Sequence, residues 1–328
     1  VDFSAAGIFY FKFKIQEKKM NYKSHSVLSS LGLILTAAIW GFAFVIVKDS
    51  LDYVGAVWMI AFRFTIAAVI LAAIFYKKFA LFNRSYLVHG AVLGLFLFLA
   101  YLFQTIGCKF TTAGKNAFLT TVYVILIPLI GWPMRKKRPS WYVFVAAVMS
   151  VTGIGLLALQ NDGGNVFEIN MGDTLTLVCG IFYALHILFV EKYDETEDPV
   201  FLTVLQFAFA ALFGWIVSPF MTDPKLNGPF PLEYLSNPRV ILSMMYLGVF
   251  STMVAFFLQN VCLKFVPSAL ASLFLSLESV FGVLFSTLLL GEHLSLRMWA
   301  GCVLIFGALM MAEVIPNIKR HKSDSAIA

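Results

Sequence analysis

The chain has 328 residues, of which 60% are hydrophobic and only 13% charged, with a formal net charge of +6 and a mean hydropathy of +0.85. Soluble domains carry roughly 25% charged residues, so this composition excludes a disordered chain, a nucleic-acid-binding domain and a secreted disulfide scaffold. In a membrane chain the surplus of Lys and Arg reports loop topology rather than a nucleic-acid partner.

In chain order, residues 1–27 form a short N-terminal tail. Phe3 to Ile15 is aromatic and basic but too short to span a bilayer. Met20 precedes a more ordinary start, so residues 1–19 are read either as an upstream start or as an interfacial helix. Ten apolar runs follow, at 28–48, 54–76, 86–108, 113–132, 141–160, 171–190, 199–220, 240–262, 268–290 and 296–315. Each is long enough to cross about 30 Å of hydrocarbon as a helix, and helices satisfy their own backbone polar groups there. Residues 316–328 form a C-terminal tail. No linker is long enough for a separate soluble domain. The four cysteines, Cys108, Cys179, Cys262 and Cys302, lie in or beside apolar runs, form no CxxC and are read as packing residues.

Lys and Arg set the orientation. With the N-terminus inside and spans alternating, 17 of them fall inside and six outside, and Arg63 lies within a span. That bias predicts both termini in the cytoplasm of a multi-pass cytoplasmic (inner) membrane protein. The acidic loop from Glu191 to Asp198 is the one poor fit.

An internal repeat sharpens the fold. Gln104-x4-Lys109-Phe110 recurs as Gln259-x4-Lys264-Phe265, an offset of 155. Thr112, Asn116, Thr120 and Tyr123 have the same spacing as Ser268, Ser272, Ser276 and Ser279. On a helix that spacing keeps each set of four on one face. Five spans per half is an odd number, so the halves insert upside down relative to each other. The predicted fold class is thus an all-α integral membrane protein, with ten transmembrane helices as two inverted five-helix repeats, 28–160 and 171–315. Many secondary carriers have this architecture, with substrate bound near the midplane. The polar stripes either line a path or glue helix pairs together.

These residues resemble the drug/metabolite transporter superfamily, in its EamA-like ten-helix branch. The resemblance rests on Ala38-Ile39-Trp40-Gly41 with Lys48, on Arg63 with Ala67, and on Phe118 to Pro128. Leu277 to Phe281, Leu290-Gly291-Glu292 and Gly301 to Gly307 add to it. Two departures stand out. Many members carry a Gly-Glu after the fourth span, where this chain has Met134-Arg135-Lys136-Lys137-Arg138. The Pro expected after Glu278 is Ser279. The resemblance implies a central cavity and export of small metabolites, often amino acids.

A charge inside a bilayer is costly and marks a functional candidate. Arg63 and Glu278 each lie about ten residues into a span. Arg63 either serves transport or ties to carbonyls or a partner helix. Glu278 binds a cation, carries a proton as coupling ion, or neutralises Arg63. The other candidates are Trp40, Gln104, Asn116, Thr120, Tyr123, His186, Gln206, Gln259, Ser272 and Ser276, each with packing as its alternative. Gly90-x3-Gly94 reads as a close helix contact. The chain contains no GxxxxGK[ST], GxSxG or HExxH, so no catalytic, cofactor or metal site is expected. The reading is a non-enzymatic alternating-access carrier for small organic metabolites. The alternative is a membrane-embedded transferase acting on a lipid-linked substrate.

Overall fold

The computed structural model describes the backbone of residues 5–136, 138–158, 170–223, 226–228, 236–263, 265–266 and 268–325. Side chains are described for the same residues except 5–26, 135, 157–158, 260, 268–273 and 312–325. Among the described residues every regular element is helical. The α-helices are α1 (Ala5–Ser50), α2 (Ala56–Ile74), α3 (Arg84–Phe110), α4 (Ala113–Thr120), α5 (Tyr123–Arg135), α6 (Trp141–Ala158), α7 (Met171–Tyr193), α8 (Pro199–Val217), α9 (Pro238–Met245), α10 (Ala255–Cys262), α11 (Ser268–Leu290) and α12 (Leu296–Ser325). Among the described residues, seven stretches are long and apolar enough to cross a membrane: Val27–Ser50, Ala56–Ile74, Arg84–Phe110, Ala113–Met134, Met171–Tyr193, Pro199–Phe220 and Pro238–Gln259. Shorter apolar helices run over Trp141–Leu156, Phe274–Leu290 and Leu296–Met311.

Helix starts follow local chemistry. Asn83, Thr112, Asn170 and Asp198 each accept a backbone N–H with their side chain at the first turn of α3, α4, α7 and α8. Proline occupies the first turn of α8 and α9, where its missing N–H leaves no intrahelical bond unmade.

Two spans depart from simple helices. The fourth, expected as one run over 113–132, is divided into α4 and α5. There the amides of Thr121, Val122, Val124 and Ile125 bond three residues back, to Phe118, Leu119, Thr121 and Val122. Pro128 compounds this, because it lacks an N–H and crowds the carbonyl four residues before it. The eighth contains a π-helical stretch, Tyr246–Val254, between α9 and α10. Thr252 Oγ1 donates to the Leu247 carbonyl at 2.7 Å across that wider turn. The ninth span, with Ser279 in place of Pro, runs on as one helix, α11.

Helices α1 and α11 pack along each other, as do α6 and α12; α3 packs on α7 and α8, α2 on α8, and α4 on α11. Close approach needs small residues. A Cβ on Gly90 or Gly94 would collide with Leu205 or Phe209, so this pair seats α3 on α8. Gly282 likewise meets Ala117 where α11 crosses α4. All four cysteines are free and buried.

Candidate functional site: a central cavity and the clamp beside it

The helices enclose a cavity of about 440 Å³. Ten of the expected residues line it: Trp40, Arg63, Gln104, Asn116, Thr120, Tyr123, His186, Gln206, Gln259 and Glu278. Ser276 is buried but does not line the cavity. It sits two residues from Glu278, about 200° around α11, so the two cannot share a face. The Ser272 side chain lies outside the described ones. Half of the second hydroxyl stripe therefore turns into packing, with Ser279 Oγ donating to the Ser276 carbonyl at 2.9 Å.

Arg63 comes from the middle of α2 and is 3% exposed. Its Nε donates to Thr252 Oγ1 and its NH2 to Ser251 Oγ, both at 3.1 Å. Its guanidinium lies 4.5 Å from the centroid of the Tyr101 ring. The π-helical turn presents Ser251 to two partners, since the Ser251 carbonyl also accepts from Trp40 Nε1 at 2.8 Å. An irregular turn at such a place is a common device for aiming side chains. Arg63 and Glu278 form no ion pair. Instead, Glu278 faces the cavity with no hydrogen-bond or ion-pair partner among the described residues.

A second wall joins α3, α4 and α7. Tyr183 OH donates to Gln104 Oε1 at 3.2 Å, and Gln104 Nε2 donates to Thr120 Oγ1 at 3.2 Å. Thr120 Oγ1 passes its own proton to the Asn116 carbonyl at 2.8 Å. Asn116 Nδ2 donates to the Gln104 carbonyl at 3.1 Å and to Thr176 Oγ1 at 2.7 Å. On the far side His186 Nε2 meets Gln206 Oε1 at 2.7 Å.

Tyr101, Thr203 and Tyr183 also line the cavity and are not among the residues singled out from the sequence. Each lies three residues before a chosen polar residue, namely Gln104, Gln206 and His186. Extending each polar anchor by one helical turn finds all three.

The cavity reaches the α7–α8 turn, where Glu191, Asp194 and Pro199 line it. At the opposite helix ends, charged side chains interlock. Lys48 Nζ donates to the carbonyls of Cys108, Lys109 and Thr111 at 2.8, 3.2 and 2.6 Å, closing the C-terminus of α3. Glu292 Oε1 and Oε2 accept from the amides of Ala113 and Gly114 at 2.7 and 3.0 Å, at the positive end of α4. Asp173 is fully buried between Thr111 Oγ1 at 2.5 Å and Lys115 Nζ at 3.4 Å.

Comparison with known proteins gives the family and the fold. The model of the EamA-like transporter family matches residues 27–159 and again 170–313. An "Uncharacterized transporter" of Archaeoglobus fulgidus is 32% identical, with 87% of this chain and 86% of that protein covered. The "Uncharacterized transporter YwfM" of Bacillus subtilis is 26% identical over 66% of this chain and 72% of its own. One crystal structure of a protein shares the fold at a TM-score of 0.58 and 17% identity, covering 89% of this chain and 97% of that one.

Proposed function

The chain belongs to the EamA-like transporter family, and from that premise we propose that it is an alternating-access secondary carrier. Its cargo is a small organic metabolite such as an amino acid, moved outward across the cytoplasmic membrane. It is a multi-pass membrane transporter of the drug/metabolite type. In the proposed mechanism two inverted five-helix halves, 28–160 and 171–315, rock about the cavity, with both termini in the cytoplasm.

The observation that carries this reading is the cavity itself. It draws on both halves and holds Arg63 and Glu278 with neither neutralising the other. Buried uncompensated charge is unfavourable, so a bound molecule is the natural compensation. Helix packing supports the inverted repeat. Exchanging the halves turns α1 on α11 into α7 on α4 and α5, α3 on α7 into α10 on α1, and α3 on α8 into the π-helical stretch on α2; α2–α8, α4–α11 and α6–α12 map onto themselves. The twelve residues named from the sequence, less Ser276, are the proposed substrate contacts, Ser272 resting on its repeat position alone. Glu278 is the proposed proton carrier.

A resistance screen tests substrate class and direction together. Cells overexpressing the chain should survive toxic amino-acid analogues better than cells with an empty vector. Sensitisation would reverse the direction. No effect across the panel, with the protein inserted, would remove amino acids as cargo. Reporter fusions at Lys137 and Ser323 should read cytoplasm and one at Gly163 outside. In proteoliposomes, Glu278→Gln should lose proton-driven transport, and an unchanged response to the gradient would end the coupling role.

A further inference from the structure

The cavity is open at one end and closed at the other. Glu191, Asp194 and Pro199 line it at the α7–α8 turn and are exposed, so solvent enters there. At the other end it is lined by Val47, which is buried and adjoins Lys48 of the clamp. With both termini in the cytoplasm, as proposed above, the turn is cytoplasmic and the clamp is outer. A carrier has to release the outer end once in every cycle.

The clamp contacts are of two kinds, according to the halves they join. Lys48 bonds the carbonyls of Cys108, Lys109 and Thr111, which ties α1 to the end of α3 within the first half. The others cross between the halves and converge on α4. From α7, Asp173 accepts from Thr111, just before α4, and pairs with Lys115 in its first turn. From the same helix, Thr176 Oγ1 accepts from Asn116 Nδ2 at 2.7 Å. Glu292, just beyond α11, accepts from the amides of Ala113 and Gly114. Along the seam between α4 and α11, Gly114 and Ala117 face Gly282, Val283 and Ser286. Such small residues form no deep ridges and grooves, so the seam parts without a long side chain being withdrawn.

Closure also carries a cost of its own. Asn116 is 0% exposed, and its Oδ1 has no hydrogen-bond partner among the described residues. Amide orientation is normally ambiguous, but chemistry fixes it here. The Gln104 carbonyl can only accept, and Thr176 Oγ1 gives its proton to the Gly172 carbonyl at 2.7 Å, so both neighbours require the NH2 group. Oδ1 is thus stranded while the seam is shut, a desolvation penalty that water admitted on opening removes. That penalty narrows the gap between shut and open, as a two-state element requires.

We propose that the contacts of Asp173, Thr176 and Glu292 with α4 and Thr111 form the outer gate of the carrier, shut in this structure, and that Lys48 is a brace that stays made when the gate opens. This rests on the carrier reading above and names the residues that control access to its site. Asp173 and Glu292 act through α4 and are positioning residues.

Directional thiol labelling tests the gate. Ala43 lines the cavity and is 7% exposed, and Ala43→Cys in the full chain is the reporter. A membrane-impermeant maleimide is applied to intact cells and to inside-out vesicles, and peptide mass spectrometry separates the reporter from the native cysteines. The ratio of outside to inside rates cancels the reactivity of the thiol itself. With the gate unaltered, the reporter should react chiefly from the cytoplasmic side. Glu292→Ala should raise the ratio about fivefold or more, the population shift that loss of a helix cap produces. Asp173→Leu with Lys115→Met removes the other latch without stranding a charge and should raise it as well. Lys48→Met, which also weakens the fold, should leave the ratio unchanged. A Cβ on Gly114 would lie 2.7 Å from Ser286 Oγ, so Gly114→Cys with Ser286→Cys sets two thiols across the seam. Oxidation with copper phenanthroline should abolish outside labelling, and reduction should restore it.

Outside labelling that survives the bridge, that either latch change leaves unaltered, or that Lys48→Met raises equally, overturns the gate and keeps the carrier. A reporter reached faster from outside with the gate unaltered overturns it too, because the clamp would then face the cytoplasm. A reporter never reached from outside in any variant removes the carrier reading and the gate with it.

Discussion

The two ends of the helix bundle use the same residue types to opposite effect. At the end built by Lys48, Thr111, Lys115, Asp173 and Glu292, the central ion pair is withdrawn from solvent, with Asp173 at 0% exposure and Lys115 at 6%, while Lys48 and Glu292 are partly buried. Lys48, Asp173 and Glu292 are each met by two or more groups, and Lys115 by the Asp173 carboxylate. At the other end the α7–α8 turn is strapped to the start of α3 by side chains that partly face solvent. Lys78 and Asp198 pair at 2.5 Å with 30% and 29% of their side chains exposed. His89 stacks on Tyr193 at 3.9 Å and meets Glu197 at 3.0 Å, and Ser85 Oγ donates to Glu197 at 2.6 Å. In low dielectric, breaking a pair leaves a stranded charge. Near water the same break is absorbed by solvent. The first end is thus a rigid clamp and the second a weak strap, and the cavity reaches the strap.

The sharpest test of this contrast is Asp173→Ala. It leaves Lys115 buried without its carboxylate and Thr111 Oγ1 without an acceptor. The expected loss is about 3–5 kcal/mol, read as a collapse of folded yield after detergent extraction. Replacing both partners, as Asp173→Leu with Lys115→Met, should restore much of that yield, because no charge is then stranded. If the double variant is as poor as the single one, the pair is not the source of the effect.

Lys48→Met comes next. Methionine keeps the length of the side chain but removes a donor shared by three carbonyls at the end of α3. Bonds to a charged group are worth about 1.5–3 kcal/mol each, and water can replace part of this at a helix end. A loss near the lower bound is expected in thermal unfolding. Glu292→Ala should cost about 1–2 kcal/mol, as the loss of a cap does, and Glu292→Gln less, since one oxygen still accepts. Equal losses for Ala and Gln would show that the carboxylate does not cap α4.

The clamp also marks where sequence reasoning stops. Seven spans and most of the polar part of the cavity lining were legible because polar residues are rare in apolar runs. Gln104 and Gln259, found as a repeat, line one cavity. Lys48 was visible as part of the first-span resemblance and as an outside charge, and neither points to its three carbonyl partners some 60 residues away. Lys115 and Asp173 gave no hint of pairing across 58 residues, since one sequence contains no contact information. Arg63 was singled out and lines the cavity, but its partners came from a π-helical turn that no periodicity announces. Ser276 was misplaced because equal spacing in two repeats was taken to mean equal facing.

The smallest expected effect lies at the strap. Burial pushes the Asp198 carboxyl up, but the hydrogen bond of Lys78, the Phe201 amide and the Lys78 charge outweigh it and hold it below its ordinary value of 3.8. Such a group stabilises the fold above 3.8, and its contribution is lost as pH falls through the lower folded value. Its neighbour Asp194 runs the other way. Burial, aided by the charge of Asp198, raises its carboxyl, so its contribution is present below 3.8 and is lost as pH rises through the raised value. Asp198→Asn removes the charge and keeps a good N-cap for α8, because Asn caps as well as Asp. The variant should be destabilised by less than about 1 kcal/mol at neutral pH, as befits a half-exposed pair. It should also relieve Asp194 of a like charge, which trims the difference further. Unfolding temperatures of the two proteins should therefore begin to converge below pH 3.8 and meet as pH falls through the lower folded value, where wild-type Asp198 is itself neutralised. A gap that keeps its size down to pH 3 would mean that Asp198 acts through its shape and cap rather than through Lys78, and a gap of several kcal/mol would place the strap in the same class as the clamp.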